Sequence, residues 1–275
     1  MPIQLFDTSL RDGIQNANVD HFSTDHKKKI FDDLCQTHRP QRFEVGSLCS
    51  PKVLPIMNDT MDIYEHAIHT CAKSDVYVLI PSLSKFYLAM DKQITSMSFL
   101  TSVSNMFHLK NTLHSTRDTK RDFKEIFAVL QKRPDYSHYR KKLYISCISE
   151  CPLSGKIDNK VIVEELRYYS ENYDFDELCI SDTCGTLAFA DFREIVENAH
   201  ISIEKLSVHL HMSPPQMSNI EQILHYCFQA GIHKFDVSVL ESGGCSVTMP
   251  SEQLLPNLSY DIFHQILRKY MEKNE

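Results

Sequence analysis

Residues 177–211 read ELCISDTCGTLAFADFREIVENAHISIEKLSVHLH. A strand-sized apolar run, 177–181, is followed by an amphipathic helical stretch, 189–199. A second strand-sized run, 206–211, comes after it. A β–α–β unit of this kind places its two strands parallel, joined by a right-handed crossover. The same alternation extends in both directions. Strand-like runs fall at 3–7, 42–45, 76–80, 96–100 and 143–147 on the N-terminal side, and at 234–239 on the C-terminal side. Helical spacing predicts helices over 24–37, one or two over 53–72, and others over 120–132, 160–172, 217–230 and 261–271. Ser23 or Thr24 suits the first N-cap, and Gly231 suits a C-terminal cap. The polar run 133–142 reads as a loop. Eight βα units favour a closed (β/α)8 TIM barrel over an open sheet. No Pro/Gly/Ser-rich linker divides the chain, so residues 1–275 read as a single domain.

Composition narrows the function. The chain has 275 residues, 42% of them hydrophobic and 24% charged, which is ordinary for a globular protein. The net charge of −7 argues against a nucleic-acid binder that works by bulk electrostatics. No apolar run reaches the ~18 residues that would span a bilayer. The N-terminus has neither a secretory nor a transit pattern, so the expected location is cytoplasmic. The nine cysteines are scattered and contain no CxxC, which argues against both a disulfide framework and a zinc finger.

In a barrel of this class the chemistry gathers at the C-terminal ends of the strands. Arg11, Asp12 and Gly13 follow the first strand, and Glu44 lies on the second. Asp182 ends the sixth, His209 and His211 end the seventh, and Gly243, Gly244 and Cys245 follow the eighth. On a strand, residues i and i+2 face the same side, so His209 and His211 can offer two imidazoles to one ion. Two histidines that merely fill the top of the barrel are the bland alternative. Asp12 at the same rim tips the balance toward a divalent metal. A guanidinium fixed at Arg11 could hold an oxyanion, although an Arg-Asp pair is more often a surface ion pair. A charge inside a strand, such as Glu44, needs a partner, and Arg11 is the candidate; a solvent-facing edge position is the alternative. Taken alone, Cys245 reads as an inert thiol.

At this point the motifs resemble a known family, the 3-hydroxy-3-methylglutaryl-CoA lyases among the DRE-TIM metallolyases. The resemblance rests on Arg11-Asp12-Gly13-Ile14-Gln15-Asn16, Phe43-Glu44-Val45, Ser50-Pro51-Lys52 and Tyr144-Ile145-Ser146-Cys147. It continues through Cys151-Pro152, Gly155-Lys156-Ile157, Ser181-Asp182-Thr183-Cys184-Gly185, Val208-His209-Leu210-His211, Gly243-Gly244-Cys245 and Asn257-Leu258. It implies Mg2+ or Mn2+ held by Asp12, His209, His211 and Asn257, and cleavage of a 3-hydroxy-3-methylglutaryl thioester to acetyl-CoA and acetoacetate. It implies that Arg11 stabilises the enolate oxygen and that Glu44 orients Arg11 or the metal shell. Asp182 or His209 would act as the base, and Cys245 would protonate or shield the enolate carbon. The implied partner is a small acyl-CoA thioester, with a homodimer left open and neither nucleic acid nor membrane involved.

The chain departs from the family at Met212-Ser213-Pro214-Pro215, at Ala17, and in a lid of fewer glycines, Val239-Leu240-Glu241-Ser242. Glu241 is expected to oppose an anionic substrate. Two alternatives follow: a related acyl-CoA lyase or condensing enzyme with another acyl group, and a catalytically impaired barrel that binds a ligand.

Overall fold

Strand β1 (Gln4–Asp7) pairs in parallel with β10 (Lys234–Val237) on one side and with β2 (Arg42–Ser47) on the other, closing a sheet on itself. The computed structural model describes residues 2–71, 74–240, 242–245 and 247–274. Around the barrel from β1 the order is β10, β9 (Leu206–His209), β8 (Glu177–Ser181), β5 (Arg140–Ser146), β4 (Ser96–Ser102), β3 (Asp75–Leu79) and β2. This is the eight-stranded parallel TIM barrel expected from the alternation. A two-stranded hairpin, β6 (Glu150–Cys151) and β7 (Gly155–Lys156), stands apart from it.

Helices α1 (Thr24–Thr37), α7 (Phe189–Ala199) and α8 (Met217–Ala230) have the predicted limits. Ser23 caps α1 by accepting from the His26 amide, and Gly231 ends α8 at φ 85°, where a glycine is unstrained. The span 53–72 resolves into a 3-10 turn, Pro55–Met57, and α2 (Thr60–Thr70). Between β3 and β4 lies α3 (Leu83–Asp91), and after β4 come α4 (Asn105–Thr112) and α5 (Thr116–Leu130). Helices α6 (Asn159–Asn172) and α9 (Tyr260–Asn274) complete the shell. The expected loop 133–142 is shorter than predicted, because β5 begins at Arg140. Among the described residues, no helix is long and apolar enough to cross a membrane.

The strands alternate between two faces, with one break in β2. Phe43, Val45, Leu143, Ile145, Leu178, Ile180, Val208 and Phe235 join the continuous apolar core beneath the helices. Their neighbours Arg42, Glu44, Lys142, Tyr144, Glu177, His209 and Asp236 point the other way, into the barrel. Contacts between strands that are not neighbours establish this: Arg42 of β2 pairs with Glu177 of β8, and Lys142 of β5 with Asp236 of β10. The centre of the barrel is therefore ionic and its outer shell apolar. A shift of register between Glu44 and Ser47 marks a bulge in β2, a device that re-aims side chains beside active sites.

Candidate active site

The turn after β1 begins the site. Arg11 and Asp12 follow the strand directly, and Gly13 lets the turn approach β10 closely. A Cβ on Gly13 would stand 2.7 Å from Ser238 Oγ. Arg11 is 8% exposed, which removes the surface ion pair as its reading. Its Nε donates to Glu44 Oε2, its Nη1 lies 2.6 Å from Asp12 Oδ1, and its Cζ sits 4.9 Å from the centre of the Tyr144 ring. Glu44 is 1% exposed, so the solvent-facing alternative is excluded and Arg11 is its partner. It also accepts from Ser98 Oγ, and from Tyr144 Oη at 3.1 Å. Burial works against the Arg11 charge, but Glu44 and Asp12 outweigh it and hold the guanidinium firmly protonated.

Asp12 Oδ1 accepts from Arg11 and from Gln15 Nε2 at 2.6 Å. Its Oδ2 is buried and has no hydrogen-bond partner. His209 Nε2 lies 3.7 Å from that oxygen and His211 Nε2 lies 3.6 Å from it. Both separations exceed hydrogen-bonding distance, so the three atoms face one point without bonding to one another. Among the described residues, Asp12, His209 and His211 are the group of such side chains that could hold a metal ion.

Strand β9 ends at His209, and His211 continues in an antiparallel bridge with Asn257. The i, i+2 relation survives the end of the strand: the two rings stand 5.0 Å apart, edge to face. His211 Nδ1 meets the Asp182 carbonyl at 2.7 Å, and His209 Nδ1 meets Asp236 Oδ2 at 3.1 Å. Burial lowers the His209 pKa, whereas at His211 the neighbouring Asp12 carboxylate overcomes burial and raises it. For Asp12 itself, burial pushes upward, but Arg11 and then the imidazoles hold the carboxyl far below the usual range.

Asn257 is brought to the same place by its bridge with His211. Its Nδ2 donates to the Ser242 carbonyl at 3.2 Å, and its Oδ1 is buried without a partner. Buried polar atoms are rarely left unpaired. Asp12 Oδ2 and His211 Nε2 are two such atoms, 3.6 Å apart, and Asn257 Oδ1, on the residue bridged to His211, is a third; they are carboxylate, imidazole and amide donors. That donor set fits a divalent cation bound through nitrogen and oxygen.

Asp182 uses its carboxylate on the following turn, where Oδ1 and Oδ2 accept the amides of Thr186 and Leu187, each at 3.1 Å. Burial raises its pKa to about 6 against those hydrogen bonds. Cys245 Sγ lies 3.2 Å from Asn111 Oδ1, and burial raises the thiol pKa. The loop carrying Cys245 is tied down by two residues to which the sequence reading gave no role. Gln15 Nε2 donates to the Gly244 carbonyl at 2.5 Å, and Asn16 Nδ2 donates to the Gly243 and Gly244 carbonyls at 2.7 and 2.8 Å. Gly243 lets the loop pass close to the 255–257 segment, because a Cβ there would meet Leu255 O at 2.7 Å and Asn257 at 3.0 Å. Glu241, expected to oppose an anionic substrate, lies outside the described residues.

The site borders a cavity of about 380 Å³, whose lining does not include Glu44, Asp182 or Asn257. Arg11, Asp12, Tyr144, His209, His211 and Cys245 line its polar end. Val53, Leu54, Leu113, Lys85 and His114 belong to the same wall.

The HMGL-like family model matches residues 2–260. The chain is 26% identical over 246 residues to the 3-hydroxy-3-isohexenylglutaryl-CoA/hydroxy-methylglutaryl-CoA lyase of Pseudomonas aeruginosa, covering 88% of this chain and 78% of that protein. It is 28% identical over 247 residues to the human cytoplasmic 3-hydroxy-3-methylglutaryl-CoA lyase, covering 88% of this chain and 63% of that one. The solved HMG-CoA lyase of Acinetobacter baumannii, in complex with coenzyme A and 3-methylmalate, shares the fold at a TM-score of 0.83 and 22% identity, over 99% of this chain and 84% of its own. A family match over nearly the whole length, on the same barrel, means that this chain belongs to the HMGL-like family and is a lyase.

Proposed function

We propose that the protein cleaves 3-hydroxy-3-methylglutaryl-CoA to acetyl-CoA and acetoacetate, using Mg2+ or Mn2+ held by Asp12, His209, His211 and Asn257. The observation that carries this reading is the set of unpartnered buried atoms, Asp12 Oδ2, His211 Nε2 and Asn257 Oδ1, beside the buried guanidinium of Arg11. A divalent cation would supply electrostatic stabilisation to the negative charge that builds on the C3 oxygen as its proton leaves, before the C2–C3 bond breaks.

The chain's own residues carry the remaining steps. Arg11, clamped by Glu44 and Asp12, offers the rest of its guanidinium to the oxygen of the departing thioester enolate. The hydroxyl proton goes to Asp182 or to His209; His209 lines the cavity, whereas the Asp182 carboxylate is turned onto the amides of Thr186 and Leu187. For Asp182, burial raises the pKa to about 6, which suits proton exchange near neutral pH. For His209, Nδ1 is engaged by Asp236 and Nε2 faces the ion site. Cys245, kept as a thiol by burial, returns a proton to the enolate carbon. Val53, Leu54 and Leu113 beside Lys85 and His114 suit a thioester whose carrier is part apolar and part anionic.

The test is acetoacetate release from 3-hydroxy-3-methylglutaryl-CoA with Mg2+ or Mn2+, against a chelator control. Metal-dependent product is expected. Folded, metal-loaded protein that releases none would sink this substrate assignment.

A further inference from the structure

Below the ion site lies an ionic chain that the proposed reaction does not touch. Lys142, fully buried, donates to Asp236 Oδ1 and stands 3.1 Å from Glu177 Oε1, and Arg42 donates to Glu177 Oε2. Lys234 Nζ adds a further cation, 3.9 Å from Glu177 Oε2. The other Asp236 oxygen, Oδ2, faces His209 Nδ1 at 3.1 Å. A neutral imidazole carries one N–H, and a carboxylate can only accept. His209 therefore bears its proton on Nδ1 and turns the Nε2 lone pair toward Asp12. The Asp182 main-chain carbonyl imposes the same tautomer on His211. Only the His209 partner is a side chain, and Lys142 determines which of its atoms meets the ring, because a cation with donors alone claims Oδ1.

We propose that Asp236 and Lys142 act together as positioning residues, locking His209 in the tautomer that presents Nε2 to the ion site. The proposal rests on the metal reading given above. It makes a counter-intuitive prediction about a conservative change. In Asp236→Asn, Lys142 retains the amide oxygen, so the amide NH2 faces His209 Nδ1. The ring must then accept at Nδ1 and carry its proton on Nε2.

The direct readout is long-range 15N–1H correlation on metal-free protein with labelled histidine, with His209 assigned by its loss in His209→Gln. Wild type is expected to show Nδ1–H, and Asp236→Asn to show Nε2–H with Mn2+ affinity, measured by EPR, weakened about 10- to 100-fold. Adding Lys142→Met frees the amide to turn, so the double variant is expected to regain the Nδ1–H tautomer and most of the Mn2+ affinity. A general structural role for Asp236 predicts no such recovery. If Asp236→Asn fails to fold, two doubles of unchanged net charge decide the matter. Asp236→Asn with Lys142→Met should show Nδ1–H, and Asp236→Leu with Lys142→Met should not. An Asp236→Asn protein that keeps Nδ1–H, or an Asn/Met double without recovery, overturns the proposal. The metal reading is tested apart from this by Asp12→Asn: unchanged Mn2+ affinity in that variant defeats the reading and leaves the tautomer result standing.

Discussion

Arg11 divides its charge between holding and acting. Its Nε and Nη1 are anchored by Glu44 and Asp12, and its face rests near the Tyr144 ring, so little rotamer freedom is left to lose when a substrate arrives. Removing one such preorganised donor typically costs about 10²- to 10³-fold in kcat. Arg11→Gln is expected to lose activity on that scale while Mn2+ affinity stays within a few-fold of wild type, since Asp12 keeps the Oδ2 that faces the imidazoles. Glu44→Gln should fall between Arg11→Gln and wild type, because an amide oxygen placed where Oε2 stands can still accept from Arg11 and Tyr144, while Ser98 loses its carboxylate acceptor. Steady-state kinetics alongside Mn2+ EPR separates the roles. If Arg11→Gln lost its metal as well as its turnover, Arg11 would belong to the ion site and not to the enolate.

At the scale of elements, α4 forms part of the cavity wall through Phe107, Asn111 and Thr112, and it is docked by one buried histidine. His108 Nε2 meets Thr119 Oγ1 of α5 at 2.6 Å, while its Nδ1 is buried without a partner. Burial, with a smaller contribution from His114, lowers the His108 pKa from 6.5 to about 4. The unfolded chain therefore binds this proton at a higher pH than the folded one does. The stabilisation is complete above about pH 6.5 and is lost as pH falls toward 4. At about 1.4 kcal/mol per pH unit, roughly 3 kcal/mol disappears over that window. Urea titrations at pH 7 and pH 4.5 should show a smaller acid loss in His108→Leu than in wild type, and parallel losses would refute the assignment. The apolar spacing in the sequence did not reveal α4. It is eight residues long, and Met106 and Leu109 on it are exposed, so it has no clean buried stripe. Helix α3 and the 150–156 hairpin escaped in the same way, being short and built around caps and turns. The strands were legible because every one carries apolar residues toward the helices. That same habit hid the ionic chain. RFEV, KLYIS, ELCIS and KFDV alternate charge or polarity with bulk, and read as apolar runs they conceal Arg42, Lys142, Glu177 and Asp236. Glu44 stood out as a carboxylate inside an apolar run, and His209 and His211 as two imidazoles at a strand end. Asn257 carries no periodic signal and became visible only through the family resemblance.

Over the whole molecule, the sheet divides the interior: the large apolar core lies outside it, and ion pairs with a small cluster of Leu79, Tyr144 and Cys179 lie within it. A closed ionic interior gains little from hydrophobic burial, so what joins the open end of the barrel matters. The candidate ligands come from distant parts of the chain: Asp12 after β1, His209 and His211 at the end of β9, and Asn257 before α9. Asn257 also holds the Ser242 carbonyl through Nδ2, so an ion on its Oδ1 would tie the Cys245 loop to the same point. An ion bound there stabilises only the folded chain, because the unfolded chain cannot bring these residues together. At a free concentration 100 times its Kd, it adds about 2.7 kcal/mol. For a domain near this size that corresponds to a rise in Tm of roughly 5–10 °C. Thermal melts with Mn2+ should show that rise, and a chelator should remove it. In Asp12→Asn the increment should shrink severalfold at the same Mn2+ concentration, while in Cys245→Ser it should persist, because the thiol is not among the proposed ligands. A wild-type Tm that ignores Mn2+ would mean that the three unpartnered atoms serve something other than a cation.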